Sequence, residues 1–207
     1  MLKTIYNKFD KQKITDLPKV AFPGRIITIF SEGEAERAVR FLLTQPILGF
    51  DTETRPSFTR GHSNKVALLQ VSTPDICFLF RLNFIGITPA IKTLLEDTTV
   101  LKVGLSLKDD ILMLQHREQF TPGYFYDLQH NVKEIGIEDL SLQKLYANIF
   151  GMKMSKTQRL SNWEASVLTN AQKIYAATDA WSCIMLYDEL NRLKQTGEYE
   201  LKMVEEE

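Results

Sequence analysis

The chain has 207 residues, of which 44% are apolar and 25% charged, and its formal net charge is -1. This composition excludes a disordered chain and a surface coated in basic charge, and it suits one domain with a substantial core. No apolar run approaches the roughly 20 residues of a membrane span, and the first residues lack the apolar core of a secretory signal. We therefore expect a cytoplasmic protein without membrane association, and nothing in the composition identifies a protein partner.

The first part of the chain predicts an arm followed by strands. Residues 1–20 are polar and basic with weak periodicity, and we interpret them as an N-terminal arm. Ser31, with Glu34 three residues later, forms a capping box that predicts the start of a helix reaching residue 44. Segments with the composition and spacing of strands occur at 25–30, at 47–53, and in a predicted hairpin of 66–72 with 76–80.

The second part alternates strand and helix before it becomes helical. Helices are predicted from Thr88-Pro89, from Ser106 as N-cap, from 141 to 150 and from the Thr169 capping box to Gly197, with a short strand at 100–103. This order predicts an α/β three-layer domain over 21–197, with a mixed central sheet flanked by helices. Residues 198–207 are predicted to be a charged C-terminal tail.

Two pairs of polar residues have spacings that put their side chains together. Asp51 and Glu53 end an apolar strand, and the two-residue period of a strand puts both carboxylates on one face. Tyr175 and Asp179 lie four residues apart in the last helix, so the phenol stacks over the carboxylate. Each pair alone is common on protein surfaces, and only their combination is informative.

A third acidic position is ambiguous because Asp109 and Asp110 are adjacent at the start of a predicted helix. Gathered carboxylates repel one another by about 4 kcal/mol per pair at an effective dielectric of 20 and 4 Å, so they need cations. Carboxylate oxygens without histidine or thiolate favour Mg²⁺ or Mn²⁺. Two such ions can clamp a phosphodiester, which is nuclease chemistry.

The combination of motifs resembles the 3′-5′ exonucleases of the ribonuclease D and Werner-syndrome exonuclease type, a branch of the DEDD family. The resemblance covers about residues 25–195, and its most specific part is Arg159-Leu-Ser-Asn-Trp163 followed by Tyr175-Ala-Ala-Thr-Asp179. The segment Lys65-Val-Ala-Leu-Leu-Gln70 is also similar to a strand of that family. The fold that the resemblance implies is the ribonuclease H-like one.

The resemblance also implies a role for each site residue. The implied metal ligands, for two divalent ions, are Asp51, Glu53, Asp110 and Asp179. Tyr175 would position the attacking water, and Glu53 would also contact the terminal 3′ hydroxyl. A catalytic histidine of the related branch would stand five residues before the last acid, where this chain has Ile174, so the tyrosine branch (DEDDy) is expected. We prefer Asp110 to Asp109, because Asp109 falls at the third position of the helix, where a carboxylate can serve the helix terminus.

The expected function is a metal-dependent 3′-5′ exonuclease that releases nucleoside monophosphates from a nucleic acid with a free 3′ end, DNA or RNA. Two alternatives remain, a catalytically inactive nucleic-acid-binding module of the same fold and an endonuclease or phosphodiesterase with a similar metal cage. Basic groups that could contact phosphate are Lys153, Lys156 and Arg159, with Arg55, Arg60 and Lys65 as a second group; scattered solvated charges explain them equally well.

A few other residues have weaker claims to the site. Asp127 could face the site or serve a turn or helix start, and Trp163 is expected to pack rather than to stack on a base. Three histidines are expected at the surface and two cysteines as buried free thiols: His62, His116, His130, Cys77 and Cys183.

Overall fold

The computed structural model describes residues 2–59, 61 and 63–204. Within them the strands are β1 (Lys3–Tyr6), β2 (Arg25–Ile29), β3 (Ile47–Thr54), β4 (Val66–Ser72), β5 (Ile76–Phe80), β6 (Leu101–Gly104), β7 (Phe125–Asp127) and β8 (Tyr199–Lys202). The α-helices of the same residues are α1 (Glu32–Leu42), α2 (Leu82–Ile85), α3 (Pro89–Glu96), α4 (Leu107–Gln115), α5 (Gln129–Glu134), α6 (Leu142–Phe150) and α7 (Asn170–Thr196). A 3-10 helix covers Gln12–Asp16.

The central sheet is mixed, as the order of predicted elements indicates. In the described part of the chain it has six strands in the order β2-β5-β4-β3-β6-β7. β4 pairs antiparallel with β3 and with β5, whereas β2 pairs parallel with β5, and β3, β6 and β7 run parallel to one another. The predicted α/β fold with helices flanking a mixed sheet is confirmed.

The alternation of side chains along β3 decides which layer each residue meets. Leu48 and Phe50 are fully buried in the core that contains α1 and α3. Gly49, Asp51 and Glu53 point to the opposite face, where α7 lies across the sheet. The acidic end of β3 is therefore directed at the long helix rather than at solvent on the α1 side.

The helix termini follow local sequence signals with one exception. Both predicted capping boxes form, at Ser31 and at Thr169, and α7 ends at Gly197 in the left-handed conformation. Ser106 is the N-cap residue of α4, as predicted, but its hydroxyl accepts no capping hydrogen bond from the helix. Instead the Asp127 carboxylate accepts from the backbone N–H groups of Ser106 (3.0 Å) and Leu107 (2.9 Å). Asp127 ends β7, the parallel neighbour of β6, and so reaches the start of α4.

Several short elements were not predicted from the sequence. They include α2, α5, β7 and the parallel pair of β1 with β8, in which Ile5 lies opposite Leu201. This pair ties the N-terminal arm to the end of the chain, and Ile5 is fully buried. No helix in the described ranges combines the length and the apolar character that crossing a membrane requires.

Candidate functional site

A close contact between β3 and α7 creates the site. A Cβ atom built on Gly49 would lie 2.0 Å from the carbonyl oxygen of Ala180 and 2.8 Å from its carbonyl carbon. Only a residue without a side chain lets the helix backbone approach the strand so closely. Asp179 immediately precedes Ala180, and Asp51 lies two residues after Gly49 on the same face of β3. The close contact therefore places Asp179 beside Asp51.

Three carboxylates converge at this contact. One oxygen each from Asp51, Glu53 and Asp179 lies within 4.8 Å of the others. The Asp179 residue is only 9% exposed, and Asp51 and Glu53 are half-buried. The cluster could hold a metal ion, and its donors are hard carboxylate oxygens of the kind that Mg²⁺ and Mn²⁺ prefer.

Asp110 borders the cluster, whereas Asp109 is exposed. The Asp110 carboxylate accepts a hydrogen bond from the Thr52 hydroxyl, and Thr52 stands between the two acids of β3. The negative charge of Asp110 also raises the pKa of Asp51. The geometry is therefore compatible with the preference for Asp110, whose role as a ligand stays a prediction.

The electrostatics of the cluster favour protons or cations. Burial raises the pKa of Glu53 to about 10, and the charges of Asp51 and Asp179 act in the same direction. Burial also raises the pKa of Asp179 to about 7 and the pKa of Asp110 to about 6, and it holds the pKa of Asp51 well above its usual range. Without a cation, part of the cluster would carry protons at neutral pH.

Tyr175 lies one helical turn before Asp179 and faces the same cluster. Burial, together with the charges of Asp179 and Glu53, raises the pKa of its hydroxyl far above neutrality. The contact with the Tyr175 hydroxyl stabilises the ionised Asp179 carboxylate and so offsets part of the rise in pKa that burial causes. Its ring packs against Trp163 with centroids 6.0 Å apart, and Trp163 is fully buried. The tyrosine is thus a neutral hydrogen-bond donor, and the tryptophan supports it by packing.

Two residues beside the acids were not singled out by sequence reasoning. Thr52 orients Asp110, and the sequence offers no signal for this contact between β3 and α4. Gln70 lies directly opposite Asp51 in the β3–β4 pair and is fully buried. Neither polar atom of the Gln70 side chain has a hydrogen-bond partner among the described residues. Residues directly opposite each other in an antiparallel pair have neighbouring side chains. Knowledge of the register between β3 and β4 would therefore have placed Gln70 beside Asp51.

Two cavities open next to the acidic cluster, and Tyr175 and Asp179 line both. One has a volume of about 220 Å³ and is also lined by Lys19, Ile174 and neighbouring residues. The other has a volume of about 180 Å³ and is also lined by Lys156 and Arg159. Basic side chains therefore adjoin the acids on this side of the site.

The remaining sequence candidates lie elsewhere or in other roles. Arg55 pairs with Glu164 at 3.2 Å, and Lys65 is exposed. Arg60 and His62 fall outside the described residues. Among the other candidates, two histidines are exposed and two thiols are buried: His116, His130, Cys77 and Cys183.

Several known proteins similar to this chain are described as 3′-5′ exonucleases. The sequence profile of a 3′-5′ exonuclease family matches residues 26–194. The chain is 30% identical over 193 residues to the Mus musculus bifunctional 3′-5′ exonuclease/ATP-dependent helicase WRN, covering 88% of this chain and 14% of that protein. It is 29% identical over 208 residues to an Arabidopsis thaliana 3′-5′ exonuclease, covering 92% of this chain and 72% of that protein.

Solved structures show the same fold. The EXO domain of Aedes aegypti Nibbler superposes with a TM-score of 0.74 at 23% identity, over 85% of this chain and 91% of that domain. Trypanosoma brucei RNase D in complex with RNA U12 superposes with a TM-score of 0.69 at 19% identity, over 82% of this chain and 63% of that one. These neighbours are ribonuclease H-like 3′-5′ exonucleases, so the predicted ribonuclease H-like fold is confirmed.

Proposed function

Because this chain belongs to the 3′-5′ exonuclease family whose profile spans residues 26–194, we propose that it is itself a metal-dependent 3′-5′ exonuclease. It would hydrolyse the terminal phosphodiester bond of a nucleic acid with a free 3′ end and release a nucleoside monophosphate. The observation that carries the proposal is the convergence of Asp51, Glu53 and Asp179, with Asp110 and Tyr175 beside them.

The donor set fits divalent metal ions. Asp51, Glu53, Asp110 and Asp179 would hold two ions, Mg²⁺ or Mn²⁺. Burial, together with the charges of neighbouring carboxylates, raises the pKa values of Asp51 and Glu53, and divalent cations would stabilise the ionised forms of these acids. When bound, such ions supply Lewis acidity that activates water and stabilises the leaving oxygen.

Side chains of this protein would position the attacking water and the terminal nucleotide. Water attacks the terminal phosphorus, the bond to the 3′ oxygen of the preceding nucleotide breaks, and that oxygen receives a proton. Tyr175 keeps its proton at neutral pH because burial raises the pKa of its hydroxyl, so it acts by orienting the water rather than as a base. Glu53 would contact the terminal 3′ hydroxyl, which would restrict attack to a free 3′ end.

The substrate class is supported by the relatives and by the surroundings of the site. One solved neighbour of the same fold is bound to RNA, and Lys156 and Arg159 line a cavity that Asp179 also lines. The chemistry of phosphate contact is common to DNA and RNA. Both are therefore candidate substrates.

Digestion of 5′-labelled single-stranded DNA and RNA with Mg²⁺ or Mn²⁺ tests the proposal. We expect a ladder shortened from the 3′ end and mononucleotide products, with no cleavage of circular strands or in EDTA. Asp51→Asn should abolish cleavage while keeping the fold and the binding of oligonucleotides. Cleavage of circular strands would indicate an endonuclease, and metal-independent binding without any cleavage would indicate an inactive binding module.

A further inference from the structure

Exposed basic side chains stand next to the acidic cluster without acidic partners. Lys156 and Arg159 line the cavity of about 180 Å³ that Tyr175 and Asp179 also line. Both side chains are exposed, and in the described ranges neither forms an ion pair, unlike Arg55, which pairs with Glu164. Two free positive charges therefore open onto the same space as the proposed catalytic residues.

The N-terminal arm adds to this basic surface. Lys19 lines the adjacent cavity of about 220 Å³. Its segment is fixed in place, because the Val20 N–H donates to the Lys153 carbonyl at 3.0 Å and the Phe22 N–H donates to the Thr178 hydroxyl at 2.9 Å. Thr178 immediately precedes Asp179, so the arm is tied to the helix that carries the site. Lys19 is held near the acids rather than left on a free terminus.

Further positive charges surround Lys156. Partial burial lowers the pKa of Lys156, and the positive charges of Arg159, Lys11 and Lys144 act in the same direction. Lys144 is compensated by Asp139 at 2.8 Å. Like charges gathered in this way repel one another unless an anion lies between them.

We propose that Lys19, Lys156 and Arg159 form a basic track that binds the phosphodiester backbone of the substrate strand next to its reacting 3′ end. The inference rests on the proposed function, and it names the part of the chain that holds the strand. Lys19 lies outside the family match of residues 26–194, so part of the track belongs to the arm. Both cavities have Tyr175 and Asp179 in their lining, so an occupant would lie against the proposed reaction centre, which favours a nucleic-acid strand over an acidic protein.

Two variants divide the track. Lys19→Ala removes the part that the arm contributes, and Lys156→Ala with Arg159→Ala removes the rest. Binding is measured by fluorescence anisotropy with oligonucleotides of about 12 nucleotides, single-stranded DNA and RNA, with Ca²⁺ in place of Mg²⁺ or Mn²⁺. We expect roughly tenfold weaker binding for the double variant near 0.15 M salt and a smaller loss for Lys19→Ala. The slope of log Kd against log salt should be smaller by about 1.4 for the double variant and by about 0.7 for Lys19→Ala, from 0.7 per lost phosphate contact.

The matched control removes the same charge elsewhere. Arg40→Ala with Lys133→Ala changes exposed residues of α1 and α5 that line neither cavity. Its affinity should fall by no more than about twofold, with an unchanged salt slope, since non-specific charge effects are weak near 0.15 M salt. Three results would overturn the proposal. The control could lose as much affinity as the track variants, the track variants could bind as tightly as the wild type, or the wild type could bind neither DNA nor RNA.

A small substrate separates the track from the chemistry. Hydrolysis of the p-nitrophenyl ester of thymidine 5′-monophosphate needs no upstream strand, so with Mn²⁺ the track variants should lose far less activity on this ester than on oligonucleotides. A parallel loss of ester hydrolysis would show that these residues act in the reaction centre instead. If the track variants lose strand binding but the wild type cleaves neither ester nor oligonucleotide, the track stands and the exonuclease proposal fails.

Discussion

Replacement of Gly49 by alanine is expected to damage the site from a distance. The new methyl carbon would lie 2.0 Å from the Ala180 oxygen and 3.2 Å from Cγ1 of Ile184, whereas ordinary contacts begin at 3.4 Å. The clashing oxygen belongs to the backbone in the middle of α7 and cannot rotate away, so strand and helix must separate by roughly 1 Å. Overpacking of this kind costs about 1–3 kcal/mol of stability. A displacement of about 1 Å between Asp51 and Asp179 is expected to slow the chemical step by about 10²-fold.

Urea unfolding and single-turnover cleavage, measured together, test this prediction, with Mn²⁺ titration as a readout of the acids. The control is Gly33→Ala in α1, where the nearest atom to the added carbon is an Arg37 guanidinium nitrogen at 3.7 Å. In the middle of a helix, alanine is more stable than glycine by about 0.5–1 kcal/mol. Gly33 lies in the first turn of α1, so the control should keep its activity and gain at most this much stability. Wild-type stability and rate in Gly49→Ala would refute the inferred contact between β3 and α7.

Three further predictions concern the polar residues of the site. Tyr175→Phe should slow single-turnover cleavage by about 10²- to 10⁴-fold because only the orienting hydroxyl is lost, with oligonucleotide binding unchanged; a wild-type rate would remove Tyr175 from the catalytic set. Asp110→Asn should be inactive and Asp109→Asn active in the same assay, and the reverse result would assign the metal to Asp109. Asp179 has a folded-state pKa of about 7 against about 3.9 when unfolded, so the folded metal-free protein binds the extra proton and loses stability as the pH rises from about 4 to 7. In EDTA at pH 8, Asp179→Asn should therefore raise the free energy of unfolding by about 2–4 kcal/mol relative to the wild type. Urea denaturation of both proteins between about pH 4 and pH 8 measures this difference, and a variant that is no more stable than the wild type at pH 8 would contradict the assigned burial.

Local signals in the sequence were sufficient for most of the long elements. The capping boxes at Ser31 and Thr169 both form, because such a box involves residues only three positions apart. Short elements escaped prediction for the opposite reason. β1 and β8 are stable only as partners of each other, at opposite ends of the chain, and no window of sequence contains both.

The identity of the site residues also came from local spacing, combined with the resemblance to a family. Side chains two residues apart on a strand, or four residues apart on a helix, share a face regardless of the rest of the fold. Asp51 could therefore be paired with Glu53, and Tyr175 with Asp179, from the sequence alone. Their roles as ligands and as water-orienting group stay predictions until metal binding and cleavage are measured.

Only the tertiary structure decided how these pairs meet and what stands around them. The missing side chain of Gly49 lets α7 approach β3, Thr52 binds the Asp110 carboxylate, and Asp127 rather than Ser106 caps α4. Each of these contacts joins residues that are distant in sequence, and their energies depend on packing distances that no local rule contains. Sequence spacing determined that Asp51 shares a face with Glu53 and that Tyr175 shares a face with Asp179. The close packing of α7 on β3 determined that the two pairs meet at one site.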